Sequence, residues 1–418
     1  RAPVSVSGRP MAERRSERRA RTGTPEWAEP TGARQRLSQR AGDGVRDGDD
    51  ALARVMEDAL RQRERVERLT HAFHSYPAGL HPDAAARLLT LGEGPVLDPF
   101  CGGGTVLVEA IASGRDALGT DISPVAALVA RTRTALTTEA ERTAMRSAAR
   151  KAADRARVQG LSIHADMERG ALPPPPDLPE VLFDWYEPHV LVEMASLHEA
   201  IGNDPMLRAV FSSIVVKTSY RESDTSNRRV EQRRPPGTAA TLFHKRAREL
   251  GRELEALAAA VPEGTRARVH RQDAREQREK EAFGLVLTSP PYPGVYDYVP
   301  LQQLRLAWLG ADPGEAPREE IGSRRAFRAD RAEATAAWRA DTFKWMRVTA
   351  RALVPGGRLV VVTGDGNVGQ RPIDSLGLYT EAAVASGLRR VARASVARWD
   401  EGLDRVRPEH AVCFAKEA

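Results

Sequence analysis

Gly94-Pro-Val-Leu-Asp98-Pro-Phe-Cys-Gly-Gly-Gly-Thr105 is the stretch on which the reading of the fold turns. A short apolar strand ends at an acid, three glycines follow, and an apolar helix from Val106 to Ala112 runs until Gly114 stops it. A second strand, Ala117 to Thr120, ends at Asp121. Strand, glycine loop, helix, strand and acid in that order form a βαβ unit of a doubly wound sheet. Such a loop brings backbone N–H groups and the positive end of a helix close to a ligand, and Gly102 and Gly104 leave room for close approach. Asp121 stands nineteen residues past Gly102, near the spacing of ~20 at which an acid meets a ribose. A nicotinamide dehydrogenase would share this pattern, but Leu107 occupies the place of the third glycine in G-x-G-x-x-G.

A second stretch carries a different kind of information. Phe283-Gly-Leu-Val-Leu287 reads as a buried strand, too short for a helix, and it runs into Thr288-Ser-Pro-Pro-Tyr292. Two prolines cannot donate to a sheet ladder, so the strand ends at Ser289. What remains is a stiff edge with free carbonyls, one hydroxyl and one aromatic ring. That edge suits a flat ring bearing an amino group: Ser289 and the Pro290 carbonyl accept from the NH2, Pro291 stiffens the turn, and Tyr292 covers the ring face.

Composition sets the outer bounds. The chain has 418 residues, 41% hydrophobic and 5% aromatic, enough for one large α/β domain with an insertion. Two cysteines, Cys101 and Cys413, exclude a disulfide scaffold and a cysteine-rich zinc site and suit a reducing, cytoplasmic setting. No apolar run approaches the ~18 residues of a membrane span. The net charge of +6 favours a polyanionic partner, although much of it lies in the first fifty residues. Met11 is read as nearer the natural start than Arg1.

Residues 1–50 read as a disordered basic tail, because charge, glycine and proline leave nothing to bury. Residues 51–135 read as the cofactor-binding half of a catalytic domain, with a lead-in helix from Asp50 to Leu69. Residues 136–261 read as a mainly helical insertion, since a βαβ core has no use for so long a connection. It contains a proline linker, Pro173 to Pro176, and a polar basic loop, Ser219 to Pro236. Residues 262–418 read as the second half of the same domain, closing with the strands around Leu388 to Val396 and Glu409 to Ala415.

Together, Asp98-Pro-Phe-Cys-Gly-Gly-Gly-Thr105 and Thr288-Ser-Pro-Pro-Tyr292 resemble the S-adenosylmethionine-dependent exocyclic-amino DNA methyltransferases of cytosine N4 and adenine N6. The first matches that family's cofactor loop and the second its catalytic motif, over residues ~70–135 and ~262–418. The resemblance implies a Rossmann-like methyltransferase fold with a mixed seven-stranded sheet. It also implies S-adenosylmethionine as cofactor. Carried over, Phe100, Gly102 and Gly104 line the methionine and ribose part, Asp98 bonds at the amino end, Asp121 takes the ribose hydroxyls and Asp273 reaches the adenine edge. His74-Ser-Tyr-Pro-Ala-Gly-Leu-His-Pro82 resembles the segment that meets the methionine carboxylate, with Gly79 where lysine is common. The cofactor loop precedes the catalytic edge, the reverse of many Ser-Pro-Pro-Tyr enzymes.

The resemblance assigns Ser289, Pro290, Pro291 and Tyr292 to catalysis, with attack by the base nitrogen on a sulfonium methyl and Tyr292 stacked on a flipped base. Serine at the first position points to cytosine N4 in DNA; guanine-N2 or adenine-N6 in RNA, and a pseudoenzyme that binds nucleic acid and holds cofactor, are the alternatives. No cysteine follows a proline as attack at ring carbon 5 requires. Tyr296 is a candidate for the base pocket, and Arg221, Arg228 and Arg229 in Arg221-Glu-Ser-Asp-Thr-Ser-Asn-Arg-Arg229 are candidates for phosphate and base contacts. His71, His74 and His81 lack the carboxylate or cysteine that would complete a metal site. The family includes restriction-modification enzymes, which act beside a restriction nuclease.

Overall fold

A computed structural model describes residues 37–77, 79–170, 177–311, 320–368, 371–400 and 405–417. The expected disorder of residues 1–36 and the linker Pro173 to Pro176 fall outside them. The described chain up to Asp121 runs β1 (Leu37–Gly48), α1 (Asp50–Leu60), α2 (Pro82–Leu89), β2 (Val96–Asp98), α3 (Thr105–Ala112) and β3 (Ala117–Asp121). After α4 (Pro124–Arg133) comes the insertion: α5 (Glu139–Glu168), α6 (Pro188–Ile201), α7 (Pro205–Thr218), a hairpin of β4 (Arg221–Ser223) and β5 (Ser226–Arg229), and α8 (Thr238–Ala260). The core resumes with β6 (Ala267–Arg271), β7 (Phe283–Thr288), α9 (Tyr298–Leu309), α10 (Arg324–Ala329), α11 (Arg331–Ala352) and β8 (Leu353–Gly364). It closes with the small pair β9 (Gly366–Val368) and β10 (Arg371–Ile373), then α12 (Ser375–Ala385), β11 (Leu388–Asp400) and β12 (Arg405–Lys416).

The main sheet has the order β1-β11-β12-β8-β7-β2-β3-β6. β6, β3, β2, β7 and β8 pair in parallel, while β12, β11 and β1 add antiparallel. This is the mixed, doubly wound sheet that the sequence predicts. The strand order reverses between β2 and β7, which makes the carboxyl ends of those two strands the crevice where such folds bind ligands.

Central strands in this position are covered on both faces and read as continuous apolar runs. Val96, Leu285 and Leu287 point into one core with α1, α2 and α3. Leu97 and Val286 point into the other with α11 and α12, as does Phe283, which lies before a register shift in the β7–β8 pairing. The alternation of successive residues between two cores is the period of an extended strand.

The sheet has eight strands where seven are expected, and the eighth comes from residues read as disordered. β1 pairs with β11 from Gly44↔Val396 to Gly48↔Ala392. Its sequence has no apolar alternation, because it sits at the sheet edge and is held by backbone pairing and charge. Arg46 lies 3.4 Å from Glu57 of α1, and Arg61 donates to the Gly42 carbonyl at 3.3 Å. A strand of this kind leaves no hydrophobic signature. The lead-in helix also ends earlier than expected, at Leu60, with Arg61 as its C-cap.

The insertion is helical and shares a core with Phe73 and with Leu304 and Trp308 of α9, in which Tyr186 is buried and donates to the Val215 carbonyl at 2.9 Å. Its least conventional feature is Glu193 on α6, fully buried, whose carboxylate accepts the N–H groups of Gly237, Ala239 and Ala240 at the start of α8. It serves as a tertiary cap, because Gly237 offers no side chain to the helix start. Glu193→Ala strands buried donors at that end, and urea unfolding should register a loss of about 2–3 kcal/mol. A change below about 0.5 kcal/mol, the usual range for a surface substitution, would show that water replaces the carboxylate.

Candidate active site

The glycine loop and the Ser-Pro-Pro-Tyr edge meet because β2 and β7 are neighbours. The Thr288 hydroxyl, at the end of β7, donates to Asp98 Oδ1 at 2.7 Å, and both groups are buried. The Phe100 N–H donates to the same oxygen at 3.2 Å. Burial pushes the Asp98 carboxyl up to about 7, with these two bonds opposing the shift.

Asp121 organises the loop from β3. Its Oδ2 accepts the Gly102 N–H at 2.9 Å and its Oδ1 accepts the Ser123 N–H at 2.8 Å. Each oxygen keeps a further lone pair. Burial raises this carboxyl too, to about 6. Gly102 and Gly104 adopt φ of +48° and +80°, and a Cβ on Gly104 would meet the Ala130 Cα at 3.0 Å. Glycine is therefore required at 104 by backbone sign and by helix packing together.

From the other side the loop is clamped by Arg133. This buried guanidinium donates to the carbonyls of Gly103 (3.0 Å), His71 (2.7 Å) and His74 (2.8 Å), fixing the segment before α2 against the glycines. Burial lowers its pKa to about 10. Tyr76 is thereby held over the glycines, with a Cβ on Gly102 only 3.2 Å from its ring.

These groups line one cleft of about 1250 Å³, its open mouth included. Of the residues expected in the site, Asp98, Phe100, Gly102, Asp121, Asp273, Ser289 and Pro291 form its wall. Phe100 is braced edge-on by Trp345 at 5.3 Å. Asp273 is already held by Arg275, whose Nε lies 3.0 Å from both carboxylate oxygens and whose Nη1 reaches Asp341 at 2.7 Å. Gly104 and Pro290 stand between wall residues in the chain, Gly104 between Gly103 and Thr105 and Pro290 between Ser289 and Pro291.

Three expectations need correction. Tyr292 is not among the residues of the cleft wall but stands behind it: its ring packs on Gly364, where a Cβ would lie 2.8 Å away, and its hydroxyl donates to Glu409 at 3.4 Å and bonds with the Ser289 side chain. Tyr298, not Tyr296, lines the cleft; Tyr296 lies against it at 5.8 Å between ring centroids. Arg221 is buried and not available to phosphate, because it donates to the carbonyls of Ser226 (2.9 Å) and Leu301 (2.7 Å) and to Asn227. Arg228 and Arg229 are exposed on the same hairpin, beside Glu222 and Glu231.

Tyr298 belongs to the stretch Tyr296-Asp297-Tyr298 expected beside the base pocket, but the other residues from α9 and just before α10 were not anticipated. Tyr298, Gln302 and Leu306 present one face of α9 to the cleft, and Glu320 and Ile321 complete the wall. The i, i+4, i+8 spacing was present in the sequence, but Pro300 inside the segment hid the helix. Proline fits there because it falls in the first turn. Glu320 takes the Tyr298 N–H that begins α9, and burial raises its carboxyl to about 7.

The three histidines have separate structural partners: His71 with Glu109 at 2.6 Å, His74 with Ser212 at 3.0 Å, and His81 with the Glu64 carbonyl at 2.6 Å. Among the described residues no group of three or more His, Cys, Asp or Glu could hold a metal ion, and no helix is long and apolar enough to cross a membrane.

With this geometry in view, the chain is similar to the type II methyltransferase M.MvaI of Kocuria varians, 26% identical over 250 residues, covering 54% of each chain. It spans about half the length of that curated relative. No family model matches. Among solved structures, TrmN of Thermus thermophilus aligns at 13% identity, covering 80% of this chain and 48% of that one, with a TM-score of 0.31. The rRNA methyltransferase aviRa of Streptomyces viridochromogenes aligns at 13% identity over 82% and 88%, TM-score 0.30. The Thermus thermophilus protein TTHA0409, complexed with S-adenosyl-L-methionine, aligns at 21% identity over 35% and 54%, TM-score 0.23. The fold assignment rests on the strand order.

The buried carboxylates give a signed pH prediction. Folding raises Asp98 from 3.8 to about 7, so between those values the folded state holds a proton that the unfolded chain releases. Its contribution to stability is full below pH 3.8 and is lost as pH rises through about 7. Asp98→Asn should therefore gain stability relative to the parent as pH rises from 3.8 to about 7, measured by urea unfolding without ligand. A difference that stays constant across that range would remove Asp98 as a titrating group.

Proposed function

We propose that the protein is an S-adenosylmethionine-dependent methyltransferase acting on an exocyclic amine of a DNA base, cytosine N4 first. The observation that carries this reading is the Thr288–Asp98 hydrogen bond, which places the glycine loop and the Ser289-Pro-Pro edge on adjacent strand ends of one cleft. Similarity to a type II methyltransferase supports the class of reaction.

The residues present fit the cofactor. The cleft has a glycine cradle under Tyr76, the buried carboxyl of Asp98, the half-buried carboxyl of Asp121 and the edge-braced Phe100. Asp98 at the amino end, Asp121 at the ribose and Asp273 at the adenine edge would hold it. Asp273 would meet adenine while remaining bound to Arg275. When bound, the cofactor supplies an electrophilic sulfonium methyl.

The chain's own part in the reaction is at the amine. The lone pair of an exocyclic amine is delocalised into its ring, which makes it a poor nucleophile. Ser289 Oγ and the Pro290 carbonyl accept from the NH2, draw it toward tetrahedral geometry and stabilise the positive charge that develops on nitrogen. The stiffness of the double proline keeps those acceptors from reorganising. Tyr298 takes the role of aromatic wall that the motif suggests for Tyr292, and Tyr292 instead secures the edge against β8 and β12. The exposed Arg228 and Arg229 on the hairpin would meet phosphate, in exchange with their present acidic partners.

The deciding experiment incubates the protein with methyl-labelled S-adenosylmethionine and either duplex DNA or RNA, then digests and identifies the labelled nucleoside. The N4-methylated deoxycytidine from DNA is expected. Label confined to RNA would overturn the choice of polymer, and label on adenine the choice of base. Ser289→Ala should lower kcat by roughly 10²-fold, as loss of one transition-state acceptor does, with cofactor affinity within about twofold. An unchanged kcat would remove Ser289 from the reaction.

A further inference from the structure

Gln302 is the group in the cleft wall whose chemistry nothing above uses. It lies on α9, is 2% exposed, and faces the cleft one turn beyond Tyr298. Its Oε1 accepts from Arg305 Nη1 at 3.1 Å. Arg305 is itself 1% exposed and is bonded through each of its three nitrogens: besides Nη1, Nε donates to the Ser212 carbonyl at 3.0 Å and Nη2 pairs with the Asp224 carboxylate. A guanidinium only donates. Turning the amide over would set its NH2 against those donors, so the orientation of Gln302 is chemically determined. Its NH2 group is then left buried without a hydrogen-bond partner in the protein.

A buried donor with no partner costs about 1–3 kcal/mol, and native folds keep few of them. One other side-chain atom of the described cleft wall shares this condition, Glu320 Oε2, which can at least approach Arg325 at 3.6 Å. Gln302 has no such neighbour. The fold spends a buried arginine from α9, a carbonyl of α7 and an acid of the β4–β5 hairpin on aiming one amide. A wall of the apolar kind that Val299 and Leu306 make on either side would need none of these.

We infer that Gln302 is a specificity-determining residue, a pre-aimed amide donor that reads an sp² oxygen of the ligand in the cleft. This rests on the methyl-transfer reading of the cleft. Two oxygens of that chemistry would enter it: the carboxylate at the amino-acid end of the cofactor, and the ring carbonyl of the target base. Adenine has no ring carbonyl and cytosine has one, so the second source would give the site a choice between the two bases.

The test uses the full chain and the variants Gln302→Met, which removes the donor, and Gln302→Glu, which replaces it with an acceptor of the same shape. Calorimetry measures S-adenosylhomocysteine and 5′-methylthioadenosine, which lacks the carboxylate. Steady-state assays measure methylation of duplex DNA. If the oxygen is the cofactor's, both variants weaken S-adenosylhomocysteine by about tenfold or more, the equivalent of one ~1.4 kcal/mol interaction, and leave methylthioadenosine unchanged. If it is the base's, S-adenosylhomocysteine is unchanged and kcat/KM for cytosine falls by a similar factor. Either result supports the inference.

Equal affinities and equal kcat/KM, within about twofold, in folded variants would overturn it. If the variants do not fold, the Gln302 side-chain amide protons of the native protein serve instead. They should shift and gain exchange protection on adding S-adenosylhomocysteine or cytosine-containing DNA, and no shift with either overturns the inference. A native protein that binds S-adenosylhomocysteine and methylates DNA while Gln302 proves indifferent fails this inference alone. A native protein that does neither fails the reading beneath it as well.

Discussion

The Thr288 hydroxyl on Asp98 is the contact from which the site is built. It joins the ends of two parallel strands that are 190 residues apart in sequence, and it does so at the point where the strand order reverses. At a switch point the crossovers leave in opposite directions, so the crevice stays open while its floor is covered on both faces. The bond also uses the buried oxygen that Phe100 N–H shares, which links the register of β2 and β7 to the shape of the glycine loop. A slip of either strand by one residue would exchange its two cores and break this bond together.

Around that floor the insertion is attached by arginines rather than by apolar contact alone. Arg305 reaches from α9 to α7 and the hairpin, Arg221 reaches from the hairpin back to the carbonyls of α9, and Arg246 of α8 donates to the Phe73 carbonyl at 2.9 Å. Each buried guanidinium meets carbonyls or a carboxylate, which is the condition for keeping such a group from water. The consequence is geometric. The helix that forms one wall of the cleft is held by the same residues that hold the basic hairpin, so the presentation of Arg228 and Arg229 and the aim of Gln302 share one support.

The electrostatics of the cleft follow from the burial of its carboxyls. Asp98, Asp121 and Glu320 all have raised pKa values, and burial is the leading cause for each. Carboxyls raised in this way favour a cationic ligand: a positive charge beside them draws off a bound proton and strengthens the binding that did so. The sulfonium and ammonium of the proposed cofactor have that character.

The glycine loop, the acid nineteen residues beyond Gly102 and the proline-terminated strand were legible in the chain because each is a local backbone requirement written in residue type. So was the helical insertion, from its length and composition. Burial and register decided the rest. β1 has no apolar alternation to read, since an edge strand can be held by backbone bonds and ion pairs. Arg221 looked like a phosphate ligand because an arginine in a polar run reads the same whether it faces water or crosses to the Leu301 carbonyl. Tyr296 and Tyr298 could not be told apart in the chain, since which of them lines the cleft depends on where α9 starts. The motifs determined which chemistry the chain carries; only the tertiary structure, by choosing which side chains lose contact with water, decided which residues face it.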